Sequence, residues 1–185
     1  SITNFSFFDS RVKRNIKKAI KNNIIVHKVF FNDENLNEFY NLHLKSMKFT
    51  NGTIKPKVFF TEILKNLNKN EYSLYFAYKK EKKISALLLL INKNIIEYFI
   101  PCTLPEFRNL QPSSLIIYKA MADAVNNKNY IWNWGGTNKN QKNLYQFKKK
   151  WGGIDHIYYN IYKVYDPKLI KVSNKKILDE CYGFF

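Results

Sequence analysis

Hydrophobic positions in this chain follow two different spacings, and the change from one to the other predicts its secondary structure. Apolar residues at helical spacing predict helices over residues 10–23, 33–49, 56–70, 110–129 and 140–153. Short apolar and aromatic runs predict strands over residues 24–30, 72–80, 83–92, 94–102, 130–136 and 155–165. Helices and strands therefore alternate, which favours an α/β arrangement around one mixed sheet.

The three central strands, within residues 72–102, are joined by links of a few polar residues. Links this short connect antiparallel neighbours, because a parallel connection needs a dozen residues or more. The sequence therefore predicts an antiparallel meander at the centre of the sheet.

The net charge of +17 bears on what kind of partner the protein binds. Three of its 31 basic residues are arginines and the other 28 are lysines. One explanation is an AT-rich genome, which favours lysine, asparagine and isoleucine codons. The other is attraction to a polyanion: nucleic acid, anionic lipid or a phosphate-bearing cofactor. Charge alone does not choose between them.

The cysteines and histidines do not predict a disulfide framework or a metal site. Cys102 and Cys181 are two lone cysteines, and His27, His43 and His156 show no metal-ligand spacing with them. No apolar run approaches the ~18 residues of a membrane span, and the first residues lack the pattern of a signal peptide. We therefore expect a cytoplasmic protein without a membrane span and without a metal.

Four of the six glycines fall in the segment NWGGTNKNQKNLYQFKKKWGG, residues 133–153. Gly135 and Gly136 follow a strand, where glycine lets the chain turn sharply and approach a ligand closely. Gly152 and Gly153 follow a helix, where glycine tolerates the left-handed conformation of a helix end. The alternative is that both pairs only mark turns.

Three segments, in this order and spacing, resemble the FemAB-like branch of the GNAT acyltransferases. They are RVKRNIKKAIKNNIIV, LQPSSLIIYKAMADAVNNKNYIWNWGGTN and NLYQFKKKWGG, and the last of them is similar to a Leu-x-x-Phe-Lys-x-x-x-Gly motif. The resemblance covers residues 10–165 and the C-terminal half of that family. It implies a GNAT-like mixed, mostly antiparallel central sheet flanked by helices. We expect one domain over residues 1–165 and a tail, 166–185, packed on it.

The resemblance also implies an activity. We expect an N-acyltransferase that moves an acyl group from acetyl-CoA or another acyl-CoA, or from an aminoacyl-tRNA, to an amine of a small acceptor such as an amino sugar or an amino acid. The alternatives are a non-catalytic basic module that binds nucleic acid or another anionic partner, or one lobe of a larger two-lobed transferase. Whether the chain forms a homodimer stays open.

The catalytic candidates are Lys148, Tyr145 and Glu97. The resemblance implies that Lys148, four residues before Gly152, stabilises charge at the reacting carbonyl. Tyr145 lies one helical turn earlier and could protonate the leaving group, while Glu97 in a strand could accept the proton of the attacking amine. Each has a plainer alternative: a solvated lysine, a core or rim aromatic and an exposed carboxylate.

The expected donor site follows the strand 94–102, where ordinary GNAT enzymes carry a glycine-rich pyrophosphate loop. This chain has TLPEFRNLQPSSL there, without glycine, which puts coenzyme A binding in doubt. A helix N-terminus and its hydroxyls still offer donors to phosphate. The cofactor-binding candidates are therefore Arg108, Gln111, Ser113 and Ser114. The alternative is a capped helix beside a solvated arginine.

The acceptor is expected near the ends of two strands. The resemblance implies that the strand before the last helix splays from its neighbour, so that donor and amine meet in the resulting cleft. Asn133 and Trp134 end that strand and Cys102 ends the neighbouring one, so these three are the substrate-binding candidates. A nucleophilic role for Cys102 is not favoured, since no histidine accompanies it in the same motif.

Overall fold

The computed structural model describes residues 6–126, 131–138 and 140–157. Within them the α-helices are α1 (Ser10–Lys21), α2 (Asp33–Thr50), α3 (Lys57–Asn66), α4 (Pro112–Asn126) and α5 (Lys142–Lys150). The strands are β1 (Ile24–Val29), β2 (Tyr72–Lys79), β3 (Lys82–Asn92), β4 (Ile95–Thr103) and β5 (Ile131–Asn133). A 3-10 helix, Pro105–Leu110, connects β4 to α4.

The strands form one sheet in the order β1-β2-β3-β4-β5. The neighbouring strands β1–β2, β2–β3 and β3–β4 are antiparallel, and β4 and β5 are parallel. The predicted meander and the mixed, mostly antiparallel sheet are therefore confirmed. A β-bulge interrupts the β3–β4 ladder, because Leu88 pairs with Ile100 while Leu89 pairs with Tyr98.

The helix ends follow local hydrogen bonding. The Asp9 carboxylate accepts the N–H of Arg11 at 2.7 Å and caps α1, whose buried face carries Val12, Ile16 and Ala19. The Asn32 side chain caps α2 in the same way. The predicted helix boundary at residue 110 is wrong, since residues 105–110 form the separate 3-10 helix and α4 begins at Pro112.

Helices cover both faces of the sheet. The Cys102 side chain points towards α2, where it lies beside His43, whereas the next side chain, that of Thr103, contacts Ser113 of α4. Adjacent strand residues point to opposite faces, so α2 and α4 lie on opposite sides of β4. Between these layers lies a core of fully buried large side chains, among them Ile16, Phe39, Phe60, Phe76 and Leu88.

The chain divides into two compact units, Ser1–Gly153 and Ile154–Phe185. The elements above belong to the first unit. The predicted strand over residues 155–165, apart from its first three residues, and the tail 166–185 lie outside the described residues, so the predicted domain boundary stays a prediction. None of the described helices combines the length and the hydrophobicity that crossing a membrane requires.

Candidate active site

Strands β4 and β5 lie side by side over three residue pairs and then separate. The parallel register joins Ile95 to Ile131 and ends with the pair Glu97 and Asn133. β5 stops there, whereas β4 continues to Thr103. Among the described residues, the second half of β4 is therefore paired only with β3. The resemblance implied such a separation near Trp134, and the ladder ends one residue before it, at Asn133.

A side-chain cap and a glycine make the chain leave β5. The Asn133 amide oxygen accepts the N–H of Gly135 at 2.9 Å, and Gly135 takes a φ of +67°. A Cβ at this position would meet no atom within 4 Å. Glycine is therefore required by the left-handed backbone and not by close packing.

Lys148 joins α5 to the segment that follows β5. Its Nζ donates to the carbonyls of Gly135 at 3.0 Å and Gly136 at 2.8 Å, and to the hydroxyl of Thr137 at 2.7 Å. These bonds use all three protons of the ammonium group. The side chain is buried, and this burial lowers the pKa of Lys148. The lysine thereby holds the segment against the helix.

A cavity of about 620 Å³ lies along the unpaired half of β4. Its walls come from α1, α2, β4, the 3-10 helix, the start of α4 and one face of α5. This volume falls within the range of small-molecule sites, roughly 300–1,000 Å³. The strand separation therefore opens onto a space large enough for a ligand.

Three cations from three different elements line this cavity: Arg11 of α1, Arg108 of the 3-10 helix and Lys150 of α5. None of them forms an ion pair with a described residue. The Arg108 guanidinium lies 5.3 Å from the centre of the Phe49 ring, which restricts its orientation. The cavity is thus suited to an anionic group such as phosphate.

The start of α4 contributes Gln111, Ser113 and Ser114 to the same cavity. Gln111 has a φ of +62°, a conformation that non-glycine residues rarely adopt, and it turns the chain into the helix. Pro112 has no N–H, and those of Gln111 and Ser114 already donate to the carbonyls of Arg108 and Gln111. Within residues 111–114, the backbone N–H of Ser113 is therefore the one left for a ligand.

Cys102 and His43 form a pair beside the cavity. Their Sγ and Nδ1 atoms are 4.0 Å apart, and His43 Nε2 accepts the N–H of Lys55 at 3.1 Å. Burial lowers the pKa of His43, with a smaller effect from the Lys55 charge, and burial raises the pKa of the Cys102 thiol. With Nε2 accepting, the neutral imidazole carries its proton on Nδ1, which leaves no basic nitrogen facing the thiol. The pair is therefore poorly suited to nucleophilic catalysis.

Aromatic rings form the wall of the cavity nearest to β5. Tyr98, Phe147 and Trp151 line it, and Trp134 packs behind them with ring centroids 5.1 Å from Tyr98 and 5.9 Å from Phe147. Such ring packing restricts the orientations of these side chains. Among the described residues, no group of three His, Cys, Asp or Glu side chains is close enough to hold a metal ion.

The structure brings half of the predicted site residues to this cavity and leaves the other half around it. Those that line it are Cys102, Arg108, Gln111, Ser113 and Ser114. Glu97 and Asn133 form the last β4–β5 pair, and Trp134 packs behind the aromatic wall. Lys148 faces the segment 135–137, and Tyr145 is exposed with its ring 5.9 Å from Lys149 Nζ.

Sequence reasoning missed Tyr98, His43 and Lys150 as residues of this region. Tyr98 belongs to an aromatic run that predicts a strand but does not say which ring faces a cavity. His43 lies 59 residues from Cys102 in the chain, so no local motif joins them. The register that places Tyr98 at the point of strand separation pairs Glu97 with Asn133, and it is visible only in the structure.

Comparison with known proteins identifies both the family and the fold. Residues 67–161, 95 of the 185, match the model of the FemAB family, whereas comparison with curated protein sequences gives no match. The crystal structure of FemX superposes with a TM-score of 0.70 at 16% identity, covering 80% of this chain and 55% of FemX. The chain therefore spans about half the length of FemX.

Two acetyltransferase structures are similar over nearly their whole length. An aminoglycoside acetyltransferase from an uncultured soil metagenomic sample, solved with sisomicin, has a TM-score of 0.59 at 12% identity over 78% of this chain and 99% of that one. AAC(6')-Iy, solved with a bisubstrate analogue of coenzyme A, has a TM-score of 0.57 at 13% identity over 76% and 98%. At such identities the likeness shows the fold alone, and that fold is the GNAT fold predicted from the sequence.

Proposed function

Because the chain belongs to the FemAB family, we propose that it transfers an acyl or aminoacyl group from an activated carboxyl donor to an amine of a small acceptor. The observation that carries this proposal is the cavity along the unpaired half of β4, whose lining includes three cations that form no ion pair with a described residue. A cavity of this kind suits a donor whose carrier bears phosphate and whose carbonyl must be held away from water.

The donor is either an acyl-CoA or an aminoacyl-tRNA. Both carry phosphates, which Arg11, Arg108 and Lys150 would bind, and both carry a carbonyl that would lie further inside. The region between β4 and α4 lacks the glycine-rich loop, and residues 111–114 at the start of α4 offer one free backbone N–H, that of Ser113. This favours a carrier whose phosphates are held by side chains more than by backbone groups. AAC(6')-Iy, solved with an analogue of coenzyme A, supports the first donor, and FemAB membership supports the second.

The transfer would be a direct attack of the amine on the donor carbonyl. Glu97, in the last pair before the strands separate, would accept the proton of the attacking nitrogen, and Asn133 opposite it would help to hold the acceptor. Trp134 would form the acceptor end of the wall, and Cys102 would contact the acyl group as a small apolar side chain. Tyr145 would have to turn inwards to serve as an acid.

Lys148 would act on the reaction through the position of the segment 135–137. Stabilising a carbonyl oxygen directly would require its ammonium group to leave three acceptors at 2.7–3.0 Å. Holding the segment requires no such exchange, and it fixes the wall of the cleft against which donor and acceptor align. We therefore assign to Lys148 a positioning role in the transfer.

A binding and turnover experiment tests the function. Thermal unfolding of the protein is followed with acetyl-CoA, with coenzyme A and with aminoacyl-tRNA, and release of the carrier is followed with a panel of amino sugars and amino acids. A donor at a hundredfold excess over its Kd should add about 2.7 kcal/mol of stability. Arg108→Ala should reduce this stabilisation. Arg14 is exposed on α1 and does not line the cavity, so Arg14→Ala is the matched control and should leave the stabilisation by a coenzyme A donor unchanged. Absence of binding and of transfer with both donors would refute the proposal.

A non-catalytic role in binding nucleic acid is the second candidate. It is supported by exposed cations of α1 that form no ion pair with a described residue, namely Arg14, Lys17, Lys18 and Lys21. Binding through them would weaken steeply with salt, and it would be lost in a variant with these four side chains neutralised.

A role as one lobe of a larger transferase is supported by the share of FemX that the chain covers. In that case the chain should bind donor without transferring the acyl group.

A further inference from the structure

Tyr98 occupies the point at which β4 and β5 separate. It directly follows Glu97, the last β4 residue paired with β5, and it lines the cavity. Its ring is packed against Trp134 and Trp132, with centroids 5.1 Å and 6.4 Å away, and the β-bulge at residue 99 follows it. The position of the ring is thus fixed by its surroundings in the absence of a ligand.

The hydroxyl of Tyr98 has no hydrogen-bond partner among the described residues. Tyr75, which is buried, differs in this respect, because its hydroxyl donates to the Asp123 carboxylate at 3.1 Å. The Tyr98 hydroxyl is not one of the buried unpartnered atoms of the described residues, and its side chain lines the cavity, so the hydroxyl is accessible to a ligand there. Burial and, less strongly, the nearby Cys102 thiol raise the pKa of Tyr98 above its ordinary value, so the group stays a proton donor at neutral pH.

We propose that the Tyr98 hydroxyl donates a hydrogen bond to the carbonyl oxygen of the donor, and that this bond strengthens as negative charge develops on that oxygen during transfer. The inference rests on the proposed function and adds a catalytic residue to it. A hydrogen-bond donor held in a fixed position stabilises such charge more than water does, since it does not have to reorient.

Tyr98 keeps its proton throughout the proposed step. The acceptor nitrogen forms a bond to the carbonyl carbon, and the bond from that carbon to the sulfur or oxygen of the carrier breaks. The electron pair of the broken bond stays on the carrier, which takes up the proton that the nitrogen releases through the base. The reaction is therefore balanced without any further reactant, and Tyr98 acts only through its hydrogen bond.

The first test compares Tyr98→Phe with Tyr75→Phe, because each removes one tyrosine hydroxyl. Tyr98→Phe should lower kcat about a hundredfold, the usual effect of removing one such donor. Its KM and Tm should stay close to the wild-type values, since the hydroxyl has no partner in the protein. Tyr75→Phe should lower Tm and leave kcat unchanged. A Tyr98→Phe enzyme with the wild-type kcat would overturn the assignment, and so would one whose lower kcat is accounted for by a lower Tm. In both cases the proposed function would stand.

The second test needs no turnover. The infrared carbonyl stretch of 13C-labelled acetyl-CoA, or of an aminoacyl-tRNA labelled at the ester carbonyl, is recorded on wild-type protein and on Tyr98→Phe. A hydrogen bond from Tyr98 should place the stretch at lower frequency on the wild type, and equal frequencies would overturn the inference. If neither donor binds the wild type, the proposed function is refuted and this inference falls with it.

Discussion

Replacing Lys148 with methionine separates a holding role from direct catalysis. Methionine keeps the length of the side chain and removes the charge and all three hydrogen bonds to Gly135, Gly136 and Thr137. If the lysine holds the segment 135–137, the Lys148→Met variant should lose stability and local order together with activity. If it acts only on the reacting carbonyl, activity alone should fall.

The size of the stability loss follows from the contacts. A hydrogen bond to a charged group contributes about 1.5–3 kcal/mol when it is lost and its partner stays buried. Here Gly135 and Gly136 are exposed, so their carbonyls regain water, and removal of the buried ammonium relieves the burial that lowers the pKa of Lys148. The net loss should therefore be about 1–2 kcal/mol. For a protein of this size that corresponds to a Tm roughly 2–8 °C lower.

Two measurements on the same samples test the reasoning. Thermal unfolding gives the change in Tm, and hydrogen exchange followed by mass spectrometry gives the protection of peptides that contain residues 133–138. Lys149→Met is the matched control, because its exposed side chain lies on the same helix and should change stability by less than ~0.5 kcal/mol. A Lys148→Met protein with wild-type Tm and exchange would refute the holding role.

Other predictions follow from single residues. The free energy of unfolding should fall as the pH drops below 6.5, because burial and, less strongly, the Lys55 charge lower the pKa of His43, so that protonation favours the unfolded chain. Measured by urea unfolding at pH 7.5 and at pH 5, a His43→Gln variant should lose less stability between the two pH values than the wild type does. Gly135→Ala should cost about 1 kcal/mol in urea unfolding, since its φ of +67° is unfavourable for alanine although space is free, and an unchanged midpoint would contradict this. Phe49→Leu should weaken donor binding two- to fivefold in a titration, because the ring that orients Arg108 is lost, and an effect as large as that of Arg108→Ala would argue against this explanation.

The fold was predictable because its signals are local. The apolar spacing of α1 and the polar links of the meander each lie within a few residues, and the structure has these elements within two residues of the predicted bounds. The start of α4 was misplaced for a local reason too. Pro112 marked the first turn correctly, but the residues before it form a 3-10 helix that ends in the left-handed Gln111, a conformation that the sequence does not signal.

The site was predictable only in part, because its partners come from distant segments. Arg108 and Ser113 were found through their place after β4, which the family likeness marks. The pairing of His43 with Cys102 and the approach of Lys148 to residues 135–137 depend on how α2 and α5 pack, and the sequence gives no local sign of either. The resemblance assigned a function to Lys148, and the structure shows three acceptors around it that favour another means of acting.

The cleft depends on two interactions at one place in the chain. Asn133 and Gly135 end β5 after three residues, and Lys148 then keeps the departing segment on α5, so that Phe147 of that helix and Trp151 directly after it line the cavity along β4. If β5 continued along β4, its backbone would pair with residues 98–103 and occupy the space in which Tyr98 and the donor carbonyl would meet. The short strand is therefore a requirement of the proposed chemistry, and the polar side chain of Asn133 contributes to it by helping to end the ladder.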